Sequence, residues 1–209
     1  MVLRIKLPKV YPITDTRLSS LSHAEQVMRL SDGGASFVQL REKLLSPREF
    51  YREAEEALRV ARERGVRVIV NDRVDIALAL GADGAHVGQD DLAPEAARRV
   101  LGEEAIVGFS THNIEQAMEA ARLSVDYIAI GPIFATSSKE DPDAVVGLDG
   151  LRRVREAIKD LPLVAIGGIT RENAREVLAA GADSVAVISA LLAEPAEIEE
   201  RTRAFFASL

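Results

Sequence analysis

Short runs of β-branched and other apolar residues alternate along the whole chain with stretches whose apolar residues recur every three to four positions. The runs predict strands at 10–14, 37–41, 68–71, 84–87, 105–109, 127–131, 163–166 and 184–188. Several are apolar almost throughout, as expected of parallel strands covered by helices on the outside.

The intervening stretches carry helix signals. Ser46-Pro47-Arg48-Glu49 reads as an N-cap, a proline at the first helical position and a capping glutamate at the third. Phe50, Ala54, Ala57, Leu58 and Ala61 then form an inward stripe. Thr170 is expected to cap a later helix with inward Ala174, Val177 and Leu178, stopped by Gly181. Shorter helices are predicted over 94–101 and 114–121, and Pro195 opens a last one expected to close an end of the barrel. A weak repeat marks the turns from helix to strand: Gly34-Ala35-Ser36, Gly81-Ala82-Asp83 and Gly181-Ala182-Asp183, with Ser124-Val125-Asp126 in the same place. Eight such units without a linker predict a single domain over 1–209, a closed (β/α)8 TIM barrel; an open doubly wound sheet is the alternative.

Composition narrows the chemistry. The chain has 209 residues, 47% of them hydrophobic and only 4% aromatic, so a large and mainly aliphatic core is expected. With no cysteine, disulfides, thiolate chemistry and cysteine-ligated zinc are ruled out. A net charge of -7 argues against a general nucleic-acid surface, which needs clustered basic residues. No apolar run reaches the roughly 20 residues needed to span a bilayer, and the segment 1–9 has no signal-peptide pattern, so a cytoplasmic protein without nucleic-acid or membrane partners is expected. Composition says nothing about oligomeric state.

In a barrel, the loops after the strands share one face. Polar groups follow strand after strand here: Gln39 to Lys43, Asn71-Asp72, Gly88 to Asp91, Ser110 to His112, 131–139, Gly167-Gly168 and Ser189. Two-residue periodicity puts Gln39 and Arg41 on one face of their strand and Val38 and Leu40 on the other. The helices would cover Val38 and Leu40, leaving Gln39 and Arg41 at the barrel mouth, with Lys43 joining them if the extended path continues. Arginine offers phosphate a planar fork, and lysine a mobile charge. The plainer alternative pairs Arg41 with Glu42 or Asp72 and leaves Lys43 in solvent. Asp72 and Asp91 follow the third and fourth strands and could share a Mg²⁺ ion, a cation that takes hard oxygen ligands and substrate phosphates. As alternatives, both are helix caps, and Asp90 competes with Asp91. His86 lies within a strand and reads as a hydrogen-bonded residue of the pore, while a role for His112 stays open. The segment 131–147 reads as an active-site loop in which Thr136, Ser138 and Lys139 donate to anionic oxygen. Gly167-Gly168 and Ser189 occupy the usual place of a monophosphate cup.

These ordered motifs resemble the thiamine phosphate synthase family over nearly the whole chain. They include Gln39-Leu40-Arg41-Glu42-Lys43, Asn71-Asp72-Arg73-Val74-Asp75, Gly88-Gln89-Asp90-Asp91-Leu92, Gly108-Phe109-Ser110-Thr111-His112, Gly131 to Lys139 and Val164 to Ile169. The resemblance implies coupling of 4-amino-2-methyl-5-hydroxymethylpyrimidine diphosphate to 4-methyl-5-(2-hydroxyethyl)thiazole phosphate, giving thiamine phosphate and diphosphate. It places Gln39, Arg41, Lys43 and Asn71 on the pyrimidine diphosphate, and Mg²⁺ on Asp72 and Asp91 rather than Asp90. It places Ser110 beside the reacting centre, Thr136, Ser138 and Lys139 between the substrates, and Gly168, Ile188 and Ser189 on the thiazole phosphate. Arg41, Lys43, Ser110 and Lys139 are the expected catalytic groups. Ala135 stands where the family often has proline, and Ser138 where it often has threonine. Two other readings remain: a thiazole tautomerase of the same family, which would use His112, and a non-catalytic phosphate-ligand sensor.

Overall fold

The structure, a computed structural model, describes residues 5–136 and 143–209. Eight short parallel strands form its centre: β1 (Val10–Pro12), β2 (Phe37–Leu40), β3 (Arg67–Asn71), β4 (Gly84–Val87), β5 (Ile106–Thr111), β6 (Tyr127–Ile130), β7 (Leu163–Ile166) and β8 (Ser184–Val187). Seven ladders join them in the order β1-β8-β7-β6-β5-β4-β3-β2. The ring closes between β1 and β2, where a parallel bridge links Ile13 to Gln39 and the Thr14 amide donates to the Gln39 carbonyl at 2.9 Å. That closure decides for the (β/α)8 TIM barrel against an open sheet.

The helices are α1 (Thr16–Ser19), α2 (His23–Asp32), α3 (Pro47–Glu63), α4 (Val74–Leu80), α5 (Pro94–Leu101), α6 (Ile114–Ala120), α7 (Gly147–Ile158), α8 (Ala174–Ala179), α9 (Ser189–Leu192) and α10 (Ile198–Ala207). Helix α3 begins as its sequence predicts, with Ser46 and Glu49 forming a reciprocal capping box. Two expectations at helix starts are corrected. The Thr170 side chain does not cap α8; its backbone amide donates to the Asn173 carboxamide in a turn, and the helix starts only at Ala174. Pro195 opens a three-residue 3₁₀ turn, and α10 then packs against α2 and α9. It therefore completes the outer ring instead of closing an end of the barrel.

Strand alternation divides the interior in two. Val38 and Leu40 face outward onto Phe50, Ala54, Ala57 and Leu58 of α3, within the large layer between sheet and helices. The other strand face fills the lumen with Tyr11, Phe37, Ile69, Tyr127, Ala129, Val164 and Ala186. The core is mainly aliphatic as expected, and the lumen is where aromatic rings concentrate in it. Tyr11 meets Phe37 edge-on at 4.7 Å and Tyr127 at 6.0 Å between ring centres. A lumen filled by few side chains favours large flat rings, and buried tyrosines then need partners for their hydroxyls.

The repeat at the turns into strands has a physical basis at the N-terminal face of the barrel. Asp83, Asp126 and Asp183 each accept an amide from the start of the preceding strand, those of Val68, Val107 and Leu163. An arginine from every second helix layer reaches the same turns: Arg62 of α3 binds the Leu80 and Gly81 carbonyls, Arg98 of α5 binds Asp126, and Arg155 of α7 binds Asp183. Arg203 of α10 reaches the Asp32 carbonyl ahead of β2, giving the arrangement an approximate fourfold character. Arg98 is the most enclosed, also donating to the Gly102, Glu103 and Ala105 carbonyls. Arg98→Ala would take the cation from Asp126, which keeps the Val107 amide, and the donor from four carbonyls, so a loss of about 2–4 kcal/mol in urea unfolding is expected. The site at the opposite end should keep its activity while the protein stays folded.

Among the described residues, no helix is long and apolar enough to cross a membrane.

Candidate functional site

The C-terminal ends of the strands open into a cavity of about 740 Å³. The described residues expected at the site, Gln39, Arg41, Lys43, Asn71, Asp72, Asp91, Ser110, Thr136, Gly168, Ile188 and Ser189, all line it. Ser138 and Lys139 lie outside the described residues.

Strand β2 ends at Leu40, so Arg41 and Lys43 leave it on a loop. Arg41 pairs with Asp15 at 2.9 Å, not with Glu42 or Asp72. Asp15 also caps α1, accepting the amides of Arg17 and Leu18. Glu42 accepts the amides of Lys43 and Leu44 and the Thr16 hydroxyl, which holds its carboxyl below the usual range despite burial. It folds the loop back and leaves Lys43 free to reach Asp72, with which it forms an ion pair. Lys43 is thus neither unpaired in solvent nor part of an extended strand.

Asp72 has φ +62, in the left-handed region, which aspartate and asparagine tolerate better than most residues. It is not the cap of α4: Arg73 stands at that position, with no side-chain cap. Asp91 does not cap α5 either, since Ala93 occupies that place. Its carboxylate instead accepts the Gly88 amide at 2.7 Å. Burial raises the Asp91 pKa, and the adjacent Asp72 carboxyl raises it further, while the Gly88 amide and Lys43 oppose the shift. Two carboxylates pressed together at a cavity wall are what a divalent cation relieves. Among the described residues no cluster of three or more histidine, cysteine or acidic side chains forms. The donor set therefore fits an ion that takes two protein oxygens and completes its shell with phosphate and water.

Below this rim, a buried hydrogen-bonded chain crosses the lumen. The Gln39 amide donates to the Tyr11 hydroxyl at 3.0 Å, Tyr11 lies 3.0 Å from the Tyr127 hydroxyl, and Tyr127 lies 3.0 Å from His86 Nδ1. His86 Nε2 is 2.8 Å from the Ser110 hydroxyl. Burial pushes the His86 pKa down to about 4 and pushes both phenols up. Strand β5 runs two residues beyond its predicted end, and this places Ser110 over the chain.

On the opposite wall, the Gly167-Gly168 pair has φ +99 and +64. A Cβ on Gly167 would come within 2.5 Å of Pro132, and one on Gly168 within 2.6 Å of the Ala135 carbonyl. The pair is therefore required by close contact with the loop after β6, independently of any phosphate. That loop starts with a cis peptide between Gly131 and Pro132. The His112 ring donates from Nδ1 to the Gly131 carbonyl at 2.9 Å and lies 3.3 Å from Asp143.

Residues 10–191 match the family described as Thiamine monophosphate synthase. The chain belongs to this family. A thiamine-phosphate synthase of Koribacter versatilis (strain Ellin345) is 52% identical over 91% of this chain and 92% of its own length. One from Chloroflexus aurantiacus (strain ATCC 29366 / DSM 635 / J-10-fl) is 48% identical over 88% and 85%. Among solved structures, a thiamine phosphate pyrophosphorylase from Pyrococcus furiosus superposes with a TM-score of 0.85 at 38% identity, covering 96% of this chain and 94% of that one. Within this thiamine monophosphate synthase barrel, sequence reasoning missed Asp15 and Arg17, which follow β1 and lie beside Arg41, Arg17 lining the cavity. The Thr14-Asp15-Thr16-Arg17 stretch after the first strand was their available signal. Tyr11 and Tyr127 left none, because the alternation that places them in the lumen does not reveal what their hydroxyls meet.

Proposed function

We propose that the chain joins 4-amino-2-methyl-5-hydroxymethylpyrimidine diphosphate to 4-methyl-5-(2-hydroxyethyl)thiazole phosphate, releasing diphosphate and forming thiamine phosphate. The observation that carries the reading is the meeting of Arg41, Lys43, Asp72 and Asp91 at one cavity mouth, in a chain of this family. Arg41 and Lys43 hold the diphosphate, Gln39 and Asn71 orient the pyrimidine, and Ser110 faces the reacting methylene. Gly168, Ile188 and Ser189 receive the thiazole phosphate, supported by their common place on the cavity wall after β7 and β8. Thr136 stands between the two, and Ser138 and Lys139 are assigned beside it from the family resemblance alone.

Asp72 and Asp91 hold Mg²⁺ in this proposal. Bound there, the ion would neutralise charge on the diphosphate and make it a better leaving group. The substitution is largely dissociative: the methylene carbon–oxygen bond breaks first, the pyrimidine amino group delocalises the cation, and the thiazole nitrogen then attacks. Arg41 and Lys43 meet more negative charge in the transition state than in the bound substrate, which is the condition for raising the rate and not only affinity. No protein nucleophile is needed.

The deciding experiment supplies both heterocycles with and without Mg²⁺ and analyses the product by mass. Thiamine phosphate and diphosphate in equal amounts, with strong dependence on Mg²⁺, are expected. Product from the thiazole tautomer alone would favour the tautomerase reading, which the His112 ring at the cavity wall keeps specific. Saturable binding with neither product would favour a phosphate-ligand sensor. A cytoplasmic location forms part of the proposal, supported by the charged, water-soluble substrates and checked by cell fractionation.

A further inference from the structure

We infer that the lumen chain has a single direction, which fixes His86 as the Nε2–H tautomer and leaves the Ser110 hydroxyl hydrogen free to donate to substrate in the cavity. This rests on the reaction proposed above and adds positioning residues to it: Tyr11, Tyr127 and His86. The direction is set at Gln39, whose amide nitrogen can only donate. Tyr11 accepts from it, and the Tyr127 oxygen is the other hydrogen-bond partner the structure shows for Tyr11, so the Tyr11 proton goes to Tyr127 and the Tyr127 proton to His86 Nδ1. An accepting Nδ1 carries no hydrogen, so the proton of the neutral ring sits on Nε2 and is given to the Ser110 oxygen. Ser110, having accepted, keeps its own hydrogen for the cavity. The opposite direction would turn the Gln39 oxygen to Tyr11, spend the Ser110 hydrogen on His86, and present only lone pairs to an anionic leaving group.

The surroundings protect this order. Tyr11, Gln39, Tyr127 and His86 are all buried at the floor of the cavity, so each finds its hydrogen-bond partner within the barrel. The His86 ring stacks on Tyr127 at 5.5 Å. Gly108 of β5 leaves the space they use: a Cβ there would lie 2.1 Å from the Tyr127 ring and 2.5 Å from His86 Nδ1. The five residues come from β1, β2, β4, β5 and β6, so closing the barrel assembles the chain.

The test is ¹⁵N NMR of the histidine rings in the unaltered protein at neutral pH. The sequence has only three histidines, and loss of a signal pair in His86→Asn assigns the relevant one. A protonated Nε2 with an unprotonated Nδ1 is expected; a protonated Nδ1 would overturn the inference. In Tyr127→Phe, the signal should become a mixture of tautomers. Its kcat should fall about tenfold, less than for loss of a direct donor, with KM for both substrates nearly unchanged. A ring still wholly Nε2–H, or an unchanged kcat, would contradict the chain's role. If Tyr127→Phe does not fold, the tautomer in the unaltered protein still decides. Failure of the coupling reaction itself would show separately, as absence of thiamine phosphate from the unaltered enzyme.

Discussion

Arg41→Ala should lower kcat/KM roughly 10²–10³-fold while leaving the barrel folded. The rate effect follows from the place of the guanidinium, at the cavity mouth next to the loop that brings Lys43 to Asp72. Its fork can follow charge as it moves onto the departing diphosphate, so its loss is felt more in the transition state than in binding. The fold survives because Asp15, the ion-pair partner left behind, still caps α1 through the amides of Arg17 and Leu18. Arg41→Lys separates charge from geometry: it keeps the cation, loses the planar fork and should fall between the two. Steady-state kinetics with the complete substrate pair, beside a thermal melt of each variant, checks both parts. An unchanged kcat/KM in Arg41→Ala would remove the residue from the mechanism.

The second large effect is expected at the carboxylate pair. Asp72→Asn is the informative change, because asparagine accepts the φ of +62 that alanine would strain. It removes the negative charge and keeps the shape. Activity at saturating substrate should drop roughly 10²–10³-fold. The Mg²⁺ concentration giving half-maximal rate should rise about tenfold or more, since even outer-sphere partners of metal ligands contribute that much to affinity. The carboxyl of Asp91, now without a like-charged neighbour, should titrate lower, because the Asp72 contribution to its raised pKa is gone while that of Lys43 stays. Rate measured against Mg²⁺ for Asp72→Asn and Asp91→Asn tests the pair. The corresponding Asp90→Asn, altering the competing neighbour, should stay close to the unaltered enzyme.

Strand alternation explains why so much of the barrel was legible. The split of Val38 and Leu40 from Gln39 places two residues in the layer under the helices and one toward the site, as a period of two requires, and Arg41 reaches the same cavity from the loop just beyond the strand. The Ser46–Glu49 box was readable because capping is local. Thr170 does not cap because the chain makes a further turn before α8, in which the Asn173 side chain accepts the Thr170 amide, and a local pattern does not tell such a turn from the first turn of the helix. The partner of Arg41 was not legible, because Asp15 comes from a different strand end and only barrel closure brings them together. His86 was legible as a hydrogen-bonded residue of the pore, but its partners were not, since they come from other strands, and Tyr11 and Tyr127 are 116 residues apart in sequence. The glycine pair lines the cavity, but the close contacts that require glycine there are with the loop after β6, which the sequence pattern did not reveal.

The central claim is that one rim gathers the diphosphate and its metal. A crystal grown with Mn²⁺ in place of Mg²⁺ and a non-reacting pyrimidine diphosphate analogue tests it directly through the anomalous signal of the metal. The account predicts a metal peak between Asp72 and Asp91, bonded to diphosphate oxygens that also meet Arg41 and Lys43. A metal bound away from these carboxylates, or a diphosphate seated at Gly168 and Ser189 instead, would contradict it.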